Sequence, residues 1–386
     1  MAKSKSHIKL LFFTPYFWPY ISGLTQYPYR FLTEHSFNNL TTTCLTFRHS
    51  SDLQKNEAIS PRCNVIRMPF IFRLSKGFIS PQSWHIFWSQ LNKHDEVLLN
   101  LPSVEGVILA LFARILRKPI ISILHCEVLL PPGVVNRIIN WILNLMVFIQ
   151  LVLSKKIIVY TEDYYKDKPM YTLFRNKMEI ILPTVHNVDP DISYRKTLRT
   201  LRKGKLCIGF CGRISHEKGI HNLIDAVKSI SNSMILFAGP HGKDVVGEEV
   251  YNEKMKKKLQ QANIPFHFLG TLSGSKLSAF YQSIDVLVLP SINKTEAFGM
   301  VQVEAMLQGT PVIASDLPGV RVPIQMSRMG ILISPNNIDE LSRAIVTISK
   351  QYRTYTSLKK TDNIKSMFNT KTIFEQIFSL IKQVSI

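Results

Sequence analysis

The sequence predicts an α/β protein with two doubly wound, mostly parallel sheets, and three observations carry that expectation. Short apolar runs suited to strands buried on both faces recur along the chain, each followed by a loop and then by a stretch with the apolar spacing of a helix. Between His186 and Lys205 the series breaks: apolar residues thin out while Arg195, Lys196, Arg199, Arg202, Lys203 and Lys205 accumulate, as in a solvated connection. The 386 residues, 46% of them hydrophobic, supply a core on either side of that break and exclude a disordered or fibrous chain.

The first strand is expected over 8–13, behind Lys3 and Lys5. Its apolar run is too short for a signal-peptide core and ends at Thr14-Pro15. A loop over 14–23, held by Pro15 and Pro19, leads to a helix over 24–35. Further strands are expected at 42–47, 64–68, 96–100 and 120–124, the last ending in His125-Cys126-Glu127. Residues 134–153 are mainly apolar, with Asn136, Arg137, Asn140 and Asn144 on one helical stripe. The reading is a core-facing helix with a polar seam; the alternative is an interfacial membrane helix, since those polar residues argue against a span. Strands at 157–160 and 179–183 close this half.

The second half opens with a strand over 206–210 and the loop Cys211-Gly-Arg-Ile-Ser-His-Glu-Lys-Gly219, followed by a helix to Ile230. Strand and helix candidates then alternate at 234–238, 248–262, 266–269, 275–283 and 285–289. In the next stretch, Pro290 to Ser315, strand end, polar loop, helix start and second strand follow in close order, which marks a ligand site. Glu296 precedes the helix and Glu304 lies about one turn inside it, so both carboxylates belong to one corner. Taken alone they read more readily as a helix-end charge and a solvated face than as a ligand grip. Arg213 offers a planar fork for phosphate oxygens and Lys218 a mobile charge near a helix start. Gly-Lys-Ser/Thr and Gly-x-Gly-x2-Gly are both missing, so neither a Walker loop nor a dinucleotide fingerprint is present.

The pattern Glu296-x7-Glu304 around Phe298-Gly299-Met300, with Gly309 and Pro311 to Ser315, closely resembles the donor-site signature of family 4 retaining glycosyltransferases. Gly-Arg-x4-Lys-Gly at 212–219 matches a second element of that family. The resemblance implies the GT-B architecture: Rossmann-like domains at 1–190 (acceptor side) and 191–365 (nucleotide sugar) facing a central cleft, and a helix over 366–386 crossing back to the first domain. It implies Arg213, Lys218, Glu296 and His125 as catalytic residues. For the donor it implies Gly23, Gly212, Ala297, Phe298, Gly299, Met300 and Glu304, with Leu272, in Gly270-Thr271-Leu272, at the base. Where the family commonly has Gly-Gly, Ser22-Gly23 stands, and where it often has a glutamate, Arg321-Val322-Pro323 stands.

The expected activity is metal-independent, retaining transfer of a sugar from a nucleotide-diphosphate sugar to a glycan or lipid-linked acceptor, without cofactor. Glu127 is a further acceptor-side candidate. A net charge of +20 favours anionic partners, here the nucleotide sugar and an anionic membrane surface; no aromatic interleaving of the basic stretch supports nucleic acid. Five cysteines without a Cys-x2-Cys pair fit a reducing cytoplasm, with peripheral attachment to the cytoplasmic membrane face. Two rivals stand beside this reading: an epimerase-like enzyme of the same architecture, and a basic, non-enzymatic membrane-associated adaptor.

Overall fold

Apolar runs that a parallel sheet buries on both faces form the centres of two separate sheets. A computed structural model describes residues 7–20, 23–34, 37–74, 77–127, 133–185, 187–242 and 248–385. The chain divides into two compact units, one made of Met1–Thr184 with Asn369–Ile386 and the other of Val185–Phe368.

The first unit runs β1 (Ile8–Phe13), α1 (Gly23–Glu34), β2 (Leu40–Phe47), β3 (Asn56–Ser60), β4 (Cys63–Met68), β5 (Phe72–Leu74), β6 (Gly77–Ile79), α2 (Ser83–Lys93), β7 (Glu96–Leu101), α3 (Gly106–Ile115), β8 (Ile120–Leu124), α4 (Val134–Leu153), β9 (Lys156–Val159), α5 (Glu162–Tyr165), α6 (Pro169–Phe174) and β10 (Met178–Ile180). Its eight-stranded sheet has the order β10-β9-β8-β7-β1-β2-β4-β3. Every pair is parallel except β3 with β4, and β5 and β6 form a separate hairpin. Every residue of β7 and β8 is buried, which is why their sequences lack alternation.

The second unit runs α7 (Ile192–Arg202), β11 (Leu206–Cys211), α8 (Ile220–Val227), β12 (Ser233–Ala238), α9 (Glu249–Gln261), β13 (Phe266–Phe268), α10 (Gly274–Tyr281), β14 (Val286–Leu289), α11 (Met300–Leu307), β15 (Val312–Ser315), α12 (Val322–Ser327), β16 (Gly330–Ile333), α13 (Ile338–Lys350), α14 (Tyr352–Tyr355) and α15 (Leu358–Met367). Its six strands, all parallel, lie in the order β13-β12-β11-β14-β15-β16. The chain then returns to the first unit as α16 (Thr370–Val384). There Phe374 meets Phe31 edge-on at 5.5 Å and Phe378 stacks on Phe37 at 4.3 Å.

Two expectations are corrected. Most of the basic stretch 186–205 is a helix of the second unit, α7, and no solvated connection: Asp191 caps it by accepting from the Tyr194 N–H at 2.9 Å, and Leu198 is buried. Two of its cations are used locally, Arg195 donating to Gln282 and Arg202 twice to Asp285 at 3.0 and 2.8 Å. Helix α4 forms with the expected bounds and turns Val147 and Leu151 to the core, but most of its apolar residues face outward. Trp141 is 66% exposed and Ile138 56%, while Gln150 is fully buried.

Candidate functional site

In the second sheet β11 lies between β12 and β14, so the chain leaves β11 for one side and comes back to the other. Ligands of open α/β sheets sit at such a reversal, beyond the carboxyl ends of the strands. The loops after β11 and β14 meet there. The Ile292 N–H donates to the Glu217 carbonyl at 3.0 Å, and a Cβ on Gly219 would fall 2.0 Å from the Pro290 carbonyl oxygen. With φ at 67°, Gly219 has the left-handed backbone that only glycine adopts without strain, so it fixes how closely the loops approach.

On the β11 side, the Gly212 N–H donates to the Ala238 carbonyl at 2.8 Å and Arg213 pairs with Glu217 at 2.6 Å. The Arg213 side chain is 48% exposed, leaving guanidinium edges open to solvent. Lys218 reaches across the junction to form an ion pair with Glu296, the two side chains being about one-fifth exposed (19% and 18%). Beneath them Ala297 and Phe298 are buried, and Gly299, left-handed at φ 75°, turns the chain into α11, whose first residue is Met300. Fully buried Gln302 donates to the Phe298 carbonyl at 3.0 Å and to the Val320 carbonyl at 2.9 Å, tying this loop to the turn after β15. In that turn Arg321 pairs with Asp316 at 3.0 Å, so the residue standing near the family's glutamate closes its own loop.

Glu304, one turn into α11, accepts from the Tyr281 hydroxyl at 2.8 Å. Burial raises Tyr281 well above the ordinary tyrosine range, aided by the Cys211 and Glu304 charges, so the phenol stays a donor. The Cys211 thiol, at the end of β11, is pushed up to about 12, first by burial and then by Glu304. Leu272 lies half-buried after β13, one strand beyond β12, where the Gly239 N–H donates to the Gly270 carbonyl at 2.7 Å. The sequence-derived residues of this unit therefore converge on one sheet edge: two cations and two carboxylates beside backbone N–H groups, a set suited to phosphates and hydroxyls. Tyr281 and Gln302 were not singled out by sequence; no spacing links Tyr281 to Glu304, and Gln302 looks like any helix glutamine.

The other predicted residues belong to the first unit. His125 is 4% exposed, with one ring nitrogen bonded to Tyr160 and the other to Asn100, whose amide donates to Thr14 at 3.1 Å. Thr14, Asn100, His125 and Tyr160 thus form a polar row over the carboxyl ends of β1, β7, β8 and β9. Burial lowers the His125 pKa to about 3, so the imidazole is neutral. Its Nε2 donates to the Asn100 amide oxygen, and Nδ1 accepts from the Tyr160 hydroxyl. Glu127 pairs with Lys168 at 2.8 Å. Gly23 is the first residue of α1 rather than a loop residue, and Ser22 before it lies outside the described residues.

The glycosyl transferases group 1 family profile matches residues 196–363, nearly the whole second unit. An uncharacterized glycosyltransferase of Methanocaldococcus jannaschii is 32% identical over 155 residues, 39% of this chain and 37% of that protein. The 2-deoxystreptamine glucosyltransferase of Streptomyces kanamyceticus is 32% identical over 150 residues, 37% of this chain and 36% of that enzyme. The chain thus spans little over a third of either relative. Among solved structures, Anabaena HepE, in complex with UDP and glucose, superposes with a TM-score of 0.76 at 19% identity, covering 97% of this chain and 99% of that one.

Proposed function

We propose, from the match of residues 196–363 to the glycosyl transferases group 1 family, that the chain transfers a sugar, with retention of anomeric configuration and without a metal, from a uridine-diphosphate sugar to a glycan or lipid-linked acceptor. The observation that carries the reading is the junction of the β11 and β14 loops, where Lys218 pairs with Glu296 and Arg213 stands beside them. Uridine is favoured because the fold neighbour HepE holds UDP. Glu304 holds the ribose hydroxyls, Glu296 the hydroxyls of the donor sugar, and Ala297 to Met300 orient sugar and phosphate by their backbone. The bond from the anomeric carbon to the β-phosphate oxygen breaks and its electron pair goes to the diphosphate. The acceptor hydroxyl attacks from the same face and its proton passes to the leaving phosphate. Arg213 and Lys218 stabilise that growing charge. His125, neutral and bonded at both nitrogens, acts here by positioning rather than as an acid or base.

The first experiment is a thermal-shift panel of nucleoside diphosphates. Saturating UDP at a hundredfold excess over its dissociation constant should raise the second unit's midpoint by roughly 5 °C or more, and the other diphosphates should do less. No selective shift with any of them would remove nucleotide binding, and with it this reading. The second is the initial rate at saturating donor for the parent, Arg213→Ala and Lys218→Ala. Turnover should fall about 10²–10³-fold in either variant, and more than donor affinity does. Near-parent turnover in both, or loss on EDTA addition restored by magnesium, would sink the cationic leaving-group role.

A further inference from the structure

Helix α4 leaves most of its apolar side chains exposed. At 100° per residue, Val134, Ile138, Trp141, Leu145, Phe148 and Val152 fall within about 80° of arc, and each is 36–75% exposed. The side turned to the unit buries Val147 and Leu151 together with one polar residue, Gln150. There Gln150 is fully buried and donates to the carbonyls of Ser103 at 2.7 Å and Met146 at 3.0 Å. A Cβ on Gly106 of α3 would fall 2.2 Å from the Gln150 carboxamide oxygen, so α3 and α4 touch on this buried side. A helix of a water-bathed domain turns its apolar stripe inward; α4 carries a second apolar stripe, and that one is exposed.

The apolar face continues onto neighbouring helices. α3 packs against both α2 and α4, and Trp84, Trp88, Leu111 and Ile115 on α2 and α3 are 42–65% exposed. Trp88 meets Phe112 edge-on at 5.4 Å. Charge decides what covers this surface. α2, α3 and α4 contain no Asp or Glu and carry Lys93, Arg114 and Arg137, and two residues past their ends stand Asp95, Arg117 and Lys155, a clear cationic excess. A second copy of a chain with net charge +20 would bring like charges together; an anionic headgroup layer over an acyl interior matches both the charge and the apolar stripe.

We infer that the face formed by α2, α3 and α4 docks on an anionic lipid bilayer, with the apolar stripe of α4 inserted at its interface. The helix does not span the bilayer, because Val147, Gln150 and Leu151 are buried in the unit. It lies in the membrane plane, with Trp84, Trp88 and Trp141 at the level where tryptophan is favoured.

The test uses the full chain without donor, so its outcome is independent of the sugar-transfer reading. Flotation is measured with phosphatidylcholine vesicles, with and without phosphatidylglycerol, at low and high salt. The parent should float with the anionic vesicles and lose recovery with salt. The variant Ile138→Glu, Trp141→Glu, Leu145→Glu, altered only at exposed positions, should bind at least about tenfold more weakly. It should keep the parent's UDP-induced thermal shift, whatever that is. Brominated lipid should quench parent fluorescence, and Trp141→Phe should reduce the quenching. The proposal is overturned if the parent stays in the soluble fraction with both vesicles, or binds neutral and anionic vesicles equally. A dimer that the triple variant makes monomeric, without vesicle binding by the parent, overturns it as well.

Discussion

Tyr281 determines how Glu304 can be tested. Replacing Glu304 by alanine removes a carboxylate and also leaves the buried Tyr281 hydroxyl without its acceptor, an orphaning that costs about 1–3 kcal/mol. Glu304→Gln keeps an acceptor for Tyr281 and removes only the charge, so it should weaken UDP binding in calorimetry while leaving the thermal midpoint near that of the parent. Tyr281→Phe removes one hydrogen bond that orients Glu304 and should weaken UDP about five- to tenfold, with little change in kcat, as loss of one hydrogen bond implies. Parent-like affinity in both variants would take Glu304 out of the site. His125 supports a second prediction. Its folded pKa of about 3 lies below its ordinary 6.5, so between those values the unfolded chain binds the extra proton. Its stabilising contribution is therefore complete above pH 6.5 and is lost as pH falls towards 3, at up to about 1.4 kcal/mol per pH unit. The first unit's midpoint should decline from pH 7 to 5, and the decline should flatten in His125→Gln. Equal slopes would mean that other groups set the acid limit.

At the scale of elements, the loop junction is held by backbone contact as much as by side chains. Gly219→Ala places a methyl group against the Pro290 carbonyl and strains a positive φ, so the 211–219 and 290–299 loops must part. The cost should be about 1–3 kcal/mol, read as a lower midpoint of the second unit and a matching loss of UDP affinity. An unchanged midpoint would show that the junction yields freely. The central strands were legible because burial on both faces leaves uninterrupted apolar runs, as in β7, β8, β12, β14 and β15. The loops 211–219 and 290–300 were legible because glycine, arginine, lysine and glutamate stand there at fixed spacing. α7 was missed although its capping Asp191 is a local helix-start signal; the Arg202–Asp285 pair that docks it is a tertiary fact, invisible in a run of cations. The exposure of most of α4 was missed for a related reason. The helix is apolar nearly all round, and which side meets the protein depends on α3 and on Gln150, 47 residues from the Ser103 it bonds.

At the scale of the whole molecule, the chain finishes the first unit only with its last residues. α16 buries Ile373, Phe374, Ile377, Phe378, Leu380, Ile381 and Val384 in the first unit, and Lys155 donates to the Val384 carbonyl at 3.1 Å. Seven such side chains at about 1.5–3 kcal/mol each amount to an upper estimate on the order of 10–20 kcal/mol. That matches or exceeds the roughly 5–15 kcal/mol by which a domain is stable. The second unit has its own core around β11, β12 and β14, built from Ile208, Phe210, Ile235, Phe237, Val286 and Val288, and needs nothing beyond Phe368. Ending the chain after Phe368 should therefore abolish the first unit's calorimetric transition while the second unit still melts cooperatively and still shifts with UDP. Replacing Phe374 and Phe378 by alanine in the full chain is the milder version. Removing the Phe31 and Phe37 ring contacts should lower the first transition alone, by several kcal/mol. Two parent-like transitions in the truncated chain would mean that the first unit's core is complete without α16.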